Sequence, residues 1–166
     1  SKALAGGALR DAGSYAVYAI RFVMSAEPTH VIGYSHDSGN WGVDTTFAGT
    51  MKFNNGAIGN ITANMQQPFR CFITIHGSYG RIEIPNMFDD SGPIVIKKGD
   101  GRTSQDDQVI AVQAPNRFLV QLDEFTRCVL GAKKPEFPAE DGLANTAVLE
   151  AFYQSANSGA SVSLAI

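Results

Sequence analysis

The sequence predicts an α+β domain with an open, predominantly antiparallel β-sheet and helices packed on one face of it. Two observations predict this class. Segments near both ends of the 166-residue chain place apolar residues at helical spacing, whereas the segments between them alternate apolar and polar residues with a period of two. Strands grouped between helices, rather than strictly alternating with them, favour α+β over a parallel α/β sheet.

Length and composition limit the possible classes. A chain of 166 residues with 44% hydrophobic content can bury one sizeable core, so we expect a single domain over residues 1–166. The net charge of -3, with scattered basic residues, argues against nucleic acid and membrane partners. Neither a long apolar run nor a leader-like N-terminus is present, and Cys71 and Cys128 resemble small core residues, so we expect a cytoplasmic protein.

The first helix has two contrasting faces. At about 100° per residue, one side is apolar and the nearly opposite side is aromatic with a carboxylate. The first set is Leu9, Ala12, Ala16, Ile20 and Val23, and the second is Asp11, Tyr15, Tyr18 and Phe22. We therefore expect a second cover over the aromatic face, and Gly6 and Gly7 would let another backbone or a flat ligand approach the helix start.

The strands follow from alternation and turns. Residues 43–53 place Val43, Thr45, Phe47, Gly49, Met51 and Phe53 on one face. Asn54-Asn55-Gly56 predicts a tight turn into a second strand with Ala57, Gly59, Ile61, Ala63 and Met65 inward. Further strands are predicted over 69–75, 81–84, 93–98 and 108–113, and a solvated loop with Gly99, Asp100, Gly101, Asp106 and Asp107 lies between the last two.

The outward face of the sheet is polar but almost uncharged. It carries Thr46, Thr50, Asn60, Thr62, Asn64, Gln66 and Thr74. Such a face is either an ordinary solvated surface or a surface that packs against another subunit, where charges tend to be depleted. The pattern supports both interpretations equally.

Two helices are predicted near the C-terminus. Asn116 caps the first, whose core residues are Phe118, Leu122, Phe125 and Val129, and Gly131 ends it. Glu140 and Asp141 favour the positive start of the second, Ala144, Val148, Ala151 and Ser155 form its packing stripe, and Gly159 ends it before Val162 and Leu164.

The sequence gives little support for a metal site, a catalytic nucleophile or a cofactor-binding motif. His30, His36 and His76 lack the spacing and companions of a zinc site, so no metal is expected. No nucleophile signature, dinucleotide fingerprint or phosphate-binding loop is present, and this chain alone is not expected to bind NAD(P). His36, Trp41 and Asp44 surround a glycine-containing connection, where a substrate contact or simple packing could occur.

Several motifs together resemble one family. The segment Ala5-Gly6-Gly7-Ala8-Leu9-Arg10-Asp11-Ala12-Gly13-Ser14-Tyr15 looks like the start of the C-terminal domain of glucose-fructose oxidoreductase and inositol dehydrogenase relatives. The resemblance continues through Glu27-Pro28, residues 53–57, residues 77–82 and residues 140–151. It implies a substrate-binding and oligomerisation domain whose NAD(P)-binding, N-terminal Rossmann domain is absent from this sequence.

The resemblance also implies residue roles. Tyr15 matches the proton-relay position and Asp11 the carboxylate before it, with Tyr18 and Arg10 as substrate contacts and Gly6 and Gly7 as cofactor contacts. A tyrosine, with a reference pKa of about 10, is a poor base near neutrality, so a cation is needed. The resemblance implies that a lysine of the Rossmann domain supplies this cation. Tyr18 stands where relatives often have Asp or Asn, and Ala5 replaces a glycine, which leaves the substrate class open. Tyr18 could stack on a sugar ring or an aromatic diol, or it could pack against the missing domain.

Three hypotheses follow. The first is the C-terminal half of an NAD(P)-dependent oxidoreductase that transfers a hydride between the nicotinamide and a sugar, polyol or related secondary alcohol, assembled as a homodimer or homotetramer through the sheet face. The others are a non-catalytic sugar or nucleotide sensor and a pure assembly module with the same fold. Asp11 and Tyr15 favour chemistry, whereas the charge-poor sheet face fits all three.

Overall fold

The chain forms two compact units. A computed structural model describes residues 1–88, 91–99, 107–131 and 133–165. One unit comprises Ser1–Gln67 with Phe137–Ile166, and the other comprises Pro68–Glu136. In chain order the described elements are α1 (Ser14–Met24), β1 (His30–His36), β2 (Thr46–Lys52), β3 (Ile58–Asn64), β4 (Ile73–Gly77), β5 (Gly80–Ile84), β6 (Ser91–Lys98), β7 (Gln108–Gln113), α2 (Arg117–Val129), α3 (Ala139–Ser158) and β8 (Val162–Ser163).

The first unit contains a four-stranded antiparallel sheet in the order β3-β2-β1-β8, with α1 and α3. The predicted alternation along β2 is confirmed, since Phe47, Met51 and Phe53 are buried. The turn after β2 is confirmed as well. Gly56 has a φ of 83°, and the Phe53 N–H donates to the Ala57 carbonyl at 3.0 Å.

Helix α3 packs into a hollow in this sheet. Gly33 and Gly49 lie directly opposite each other on β1 and β2. A Cβ added at Gly49 would lie 2.4 Å from Cε1 of Phe152, and one at Gly33 would lie 2.6 Å from Cζ of Phe47. The two rings meet edge to face with centroids 5.4 Å apart, so the absent glycine side chains create the space that the aromatic core fills.

The outer face of this sheet is polar, as predicted. Hydrogen bonds cross it between Thr50 and Asn60 at 2.9 Å and between Asn64 and Thr46 at 2.6 Å. Thr74 does not belong to this face, because it lies on β4 in the second unit.

The buried face of the first helix differs from the predicted one. Leu9, Val17 and Arg21 are buried, whereas Val23 is 38% exposed and Ala12 is also exposed. The cause is a π-helical segment, Leu9–Gly13, that precedes α1. Because a π-turn contains more residues than an α-turn, positions on either side of it lose the expected angular relationship. The prediction for Ala16 and Ile20 is confirmed, since both pack against the core.

The second unit contains an antiparallel sheet in the order β4-β5-β6-β7, together with α2. The Asn116 cap is confirmed, with its Oδ1 accepting from the Phe118 N–H at 3.0 Å. The core assignment for α2 is wrong, because its apolar side chains are exposed: Phe118, Leu122, Phe125 and Val129. Helical spacing shows that the residues share a face but not that a described element covers it.

The α+β class and the antiparallel strands are confirmed, with the strands divided between two sheets. Residues 100–106 of the predicted solvated loop lie outside the described residues. Cys71 and Cys128 are free thiols and partly exposed.

Candidate functional site

Asp44 holds the start of the first helix. Its backbone carbonyl accepts from the Ala8 N–H at 2.7 Å, and its Oδ2 accepts from the Leu9 N–H at 2.7 Å. These contacts satisfy N–H groups that a helix start leaves without intrahelical partners. The Tyr153 hydroxyl donates to Oδ1 at 2.8 Å, so both carboxylate oxygens are used.

Gly7 makes this arrangement possible. Its φ is 131°, and a Cβ there would lie 2.1 Å from Oδ1 of Asp44 and 3.1 Å from the Tyr153 hydroxyl oxygen. A residue with a side chain would therefore displace the carboxylate. Gly6 is also crowded, since its Cβ would lie 2.8 Å from the backbone nitrogen of Ser1.

The π-helical turn directs polar side chains to one side. The Gly13 N–H donates to the Ala8 carbonyl, five residues earlier, at 2.9 Å. Such turns often occur at functional sites because they reposition neighbouring side chains. Arg10 and Asp11 lie within the turn, and both are exposed.

A groove of about 640 Å³ lies beside this turn. Its charged lining residues are Arg10 and Asp11, and the aromatic residue Trp41 also lines it. The remaining lining residues are Ser1, Leu4, Ala5, Gly6, Gly7, Val43 and Met65. The structure thus brings four of the sequence-predicted site residues, Arg10, Asp11, Gly6 and Gly7, to one groove.

Arg10 is oriented by two contacts. Its Nη2 lies 2.6 Å from Oε1 of Glu150, and its guanidinium lies over the ring of Tyr153, 5.0 Å from the centroid. Arginine stacks readily on aromatic faces while keeping its donors available. The same tyrosine therefore contacts Asp44 through its hydroxyl and Arg10 through its ring.

Tyr15 and Tyr18 lie further along the helix and outside the lining of the groove. Tyr15 is 53% exposed, one helical turn after Asp11. Tyr18 forms an aromatic cluster with Phe22 and Phe137, with ring centroids 6.3 Å and 5.9 Å away, respectively. Phe137, just before α3, is thus one cover of the aromatic face of α1.

The environment of Tyr153 shifts its titration. Burial, and then the hydrogen bond to Asp44, raise the pKa of the Tyr153 phenol well above its ordinary value. Tyr153 is therefore a neutral hydrogen-bond donor throughout the physiological range.

Arg21 joins α1 to α3. Its guanidinium donates to both carboxylate oxygens of Glu27, at 2.7 and 2.6 Å, and to Oδ1 of Asp141 at 2.9 Å. It also donates to Oδ1 of Asn145 at 3.2 Å. Although Arg21 is charged, its side chain is only 4% exposed.

The sequence singled out Asp44 only as one of three residues around a connection where a substrate contact or packing could occur, and it indicated no functional role for Tyr153 or Arg21. Asp44 occupied an outward position in the alternating strand, yet it is buried. Its partner Tyr153 is 109 residues away, so only the tertiary fold shows the pair. The one local signal was a carboxylate beside a strand whose other outward residues are mostly uncharged.

The described residues also bear on metal sites and on membrane-spanning segments. Within the described ranges, no three His, Cys, Asp or Glu side chains come together as a metal would require. None of the described helices combines the length and apolarity needed to cross a membrane.

Known proteins share this architecture. Residues 1–164 match the family described as "Oxidoreductase family, C-terminal alpha/beta domain". The D-xylose 1-dehydrogenase (NADP(+)) 2 of Haloferax volcanii is 26% identical over 164 residues, which are 97% of this chain and 49% of that protein. The aldose-aldose oxidoreductase of Caulobacter crescentus, complexed with glycerol, aligns with a TM-score of 0.81 and 27% identity over 96% of this chain and 48% of its own.

A third protein shares the fold. The WlbA dehydrogenase of Bordetella pertussis, in complex with NADH and UDP-GlcNAcA, aligns with a TM-score of 0.71 and 21% identity over 97% of this chain and 46% of its own. This chain spans about half the length of the curated relatives it matches. It belongs to the oxidoreductase family of glucose-fructose oxidoreductase and inositol dehydrogenase, as the family's C-terminal α/β domain.

Proposed function

We propose that this chain is the substrate-binding half of an NAD(P)-dependent oxidoreductase that transfers a hydride between the nicotinamide and a sugar, polyol or related secondary alcohol. One observation carries the proposal. The π-helical turn places Arg10 and Asp11 in a groove, and Tyr15 is exposed one turn further along the same helix.

The residues have distinct proposed roles. When a secondary alcohol loses a hydride it must also lose a proton, and a phenol side chain beside the carbinol oxygen can take that proton only as its phenolate, which a neighbouring cation stabilises. Tyr15 supplies that phenol. Asp11 orients the catalytic groups and balances a cation from the other half of the protein, while Arg10 and Tyr18 contact the substrate.

The cofactor is shared between the two halves of the protein. An N-terminal Rossmann domain carries the NAD(P), which supplies or accepts the hydride. The Gly6 and Gly7 backbone lines the groove and is the part of this chain that we propose meets the cofactor. The side-chain space of Gly7 is already occupied by Asp44, so this contact involves backbone atoms alone.

The substrate class rests on the relatives and on the groove. One relative is named as a D-xylose dehydrogenase, and an aldose oxidoreductase shares the fold at 27% identity. A groove that combines a guanidinium, a carboxylate and an indole suits a polyhydroxylated ring. A sugar is therefore the favoured substrate.

The outer face of the first sheet is the proposed assembly surface of a cytoplasmic homodimer or homotetramer. Tyr34, Ala48 and Thr62 lie opposite one another across three strands, and Tyr34 is 67% exposed. Charge depletion with an exposed aromatic residue is typical of interface centres. Analytical ultracentrifugation of the Thr62→Lys variant tests this surface, and an unchanged assembly would contradict it.

The central experiment measures NAD(P)-linked turnover of a panel of sugars and polyols by the full-length protein. Tyr15→Phe should lower kcat by about 10² to 10⁴ because it removes only the hydroxyl. Tyr79→Phe is the matched control, since Tyr79 is 91% exposed and lies in the other unit. Turnover by Tyr15→Phe within threefold of the wild type would exclude the proton-relay role. Tight binding of cofactor and sugar by the wild type without turnover would exclude the enzymatic function.

A further inference from the structure

We propose that Trp41 is a rigid stacking platform that selects ring-form sugars over open-chain polyols. This inference rests on the proposed function, because it names the substrate form that the same groove accepts. Trp41 is 58% exposed, lines the groove with Arg10 and Asp11, and belongs to the connection between β1 and β2.

The backbone of this connection is fixed by a single carboxylate. Asp37 Oδ1 accepts from the N–H groups of Gly39 at 3.2 Å and Trp41 at 3.0 Å, and its Oδ2 accepts from Gly42 at 2.7 Å. Two left-handed residues, Asn40 with a φ of 53° and Gly42 with a φ of 74°, complete the turn. The loop therefore holds a defined conformation at an exposed position.

The indole ring is positioned as well as its backbone. A Cβ added at Gly39 would lie 2.6 Å from both Nε1 and Cε2 of Trp41. The ring thus rests against Gly39, in space that any side chain would occupy. The contact with Gly39 holds one part of the ring in place, while more than half of the Trp41 surface stays exposed.

Core packing does not account for this arrangement. A tryptophan kept for the core would be largely buried, because its large apolar surface favours burial. Here a carboxylate and a glycine hold an aromatic ring in place beside charged groups without burying it. The open surface of the ring is therefore available to a ligand in the groove.

The chemistry of the groove favours one form of carbohydrate. An aldopyranose presents a face of C–H groups that can lie flat on an indole, while its hydroxyls point outward to polar groups such as Arg10 and Asp11. The open-chain alditol with the same carbon skeleton has no fixed flat face and must lose chain entropy to make the same contacts. Because the Trp41 ring is ordered before the ligand binds, little conformational entropy is lost when the rigid sugar ring stacks on it.

The test compares each of three aldoses, D-xylose, D-glucose and D-galactose, with its own alditol. Dissociation constants are measured by calorimetry on the full-length protein with NAD(P) bound, in a Tyr15→Phe background, and KM is measured in the active protein. The protein with Trp41 should bind each aldose about tenfold more tightly than its alditol, which is the difference that one aromatic contact contributes. Trp41→Ala should remove this preference and Trp41→Phe should retain most of it.

A second variant tests the positioning of the ring. Gly39→Ala should displace the indole and weaken binding of the preferred aldose, with unchanged circular dichroism. Gly142→Ala is its matched control, because a Cβ at Gly142 meets nothing within 4 Å. Trp41 is the one tryptophan of this sequence, so the emission difference between the wild type and Trp41→Phe reports on this ring.

The outcomes separate this inference from the proposed function. A ring preference that Trp41→Ala removes supports the platform even if the protein turns over no substrate, in which case only the enzymatic function fails. Equal binding of aldose and alditol by the wild type would overturn the platform, and so would a Trp41→Ala variant that keeps the preference. Neither result would contradict a measured turnover, so the proposed enzymatic function would be unaffected.

Discussion

Asp44 accepts a hydrogen bond from the Leu9 N–H at 2.7 Å, and so joins the connection before β2 to the helix start 35 residues earlier. The contact is buried, and Tyr153 completes it from α3. Three separate segments thus meet at one carboxylate. Since Arg10 and Asp11 directly follow this helix start, the carboxylate also determines where the groove's polar side chains lie.

The first prediction concerns this cap. Asp44→Ala should lower the free energy of unfolding by about 2–4 kcal/mol, because it leaves a buried N–H and the Tyr153 hydroxyl without partners. Urea unfolding followed by far-UV circular dichroism measures this. Asp123→Ala is the control, since its exposed pair with Arg127 contributes less than about 0.5 kcal/mol. Equal effects of the two substitutions would contradict the capping role.

The second prediction is a dependence of stability on alkaline pH. The pKa of Tyr153 is raised in the folded state, by burial and by Asp44. The unfolded chain therefore releases the proton first, at a pKa of about 10, and stability that is fully present below that pH falls as pH rises further. The free energy of unfolding should decrease more steeply above this pH in the wild type than in Tyr153→Phe. Parallel profiles would show that Tyr153 ionises equally in both states.

The sequence predicts those features whose cause is local. The alternation of residues 43–53, the Asn54-Asn55-Gly56 turn and the Asn116 cap all depend on neighbours within a few residues, and each is confirmed. Gly159 ends α3 with a φ of 71°, as its residue type implies. In each case the residue type and its immediate neighbours determine the conformation.

Features that depend on distant contacts could not be predicted. The burial of Arg21 requires partners 120 and 124 residues away, and the burial of Asp44 requires Tyr153. The π-helical turn at Leu9–Gly13 shifted the predicted face of the helix, because a wheel assumes a constant angle per residue. For the site, the sequence selected Arg10 and Asp11 but left Trp41 between a substrate contact and simple packing. Neither the exposure of the Trp41 ring nor its contact with Gly39 can be predicted from the neighbouring residues.

The third prediction tests the hollow between α3 and the first sheet. Gly49→Ala should lower the free energy of unfolding by about 1–3 kcal/mol, because its Cβ would overlap the ring of Phe152 at 2.4 Å. Gly142→Ala, at an exposed position of α3, should instead stabilise the protein by about 0.4–1 kcal/mol, because alanine has the higher helix propensity. Chemical denaturation of both variants gives the comparison. A neutral Gly49→Ala would mean that Phe152 moves freely out of the hollow.

The fourth prediction concerns the ion network at Arg21. Arg21→Met keeps an apolar side chain of similar length but leaves Glu27 and Asp141 without their cation. Their side chains are 35% and 31% exposed, so solvent offsets part of the loss, and we expect a decrease of about 2–3 kcal/mol in the free energy of unfolding. Arg127→Met is the matched control, because Arg127 and Asp123 are 60% and 62% exposed and their pair contributes less than about 0.5 kcal/mol.

A double variant separates charge pairing from packing at Arg21. If the loss comes from charge pairing, Arg21→Met with Glu27→Gln should recover part of it, since the second substitution removes one of the carboxylates left without a cation. A double variant at least as unstable as Arg21→Met would show that the buried guanidinium contributes mainly through its packing and its bond to Asn145.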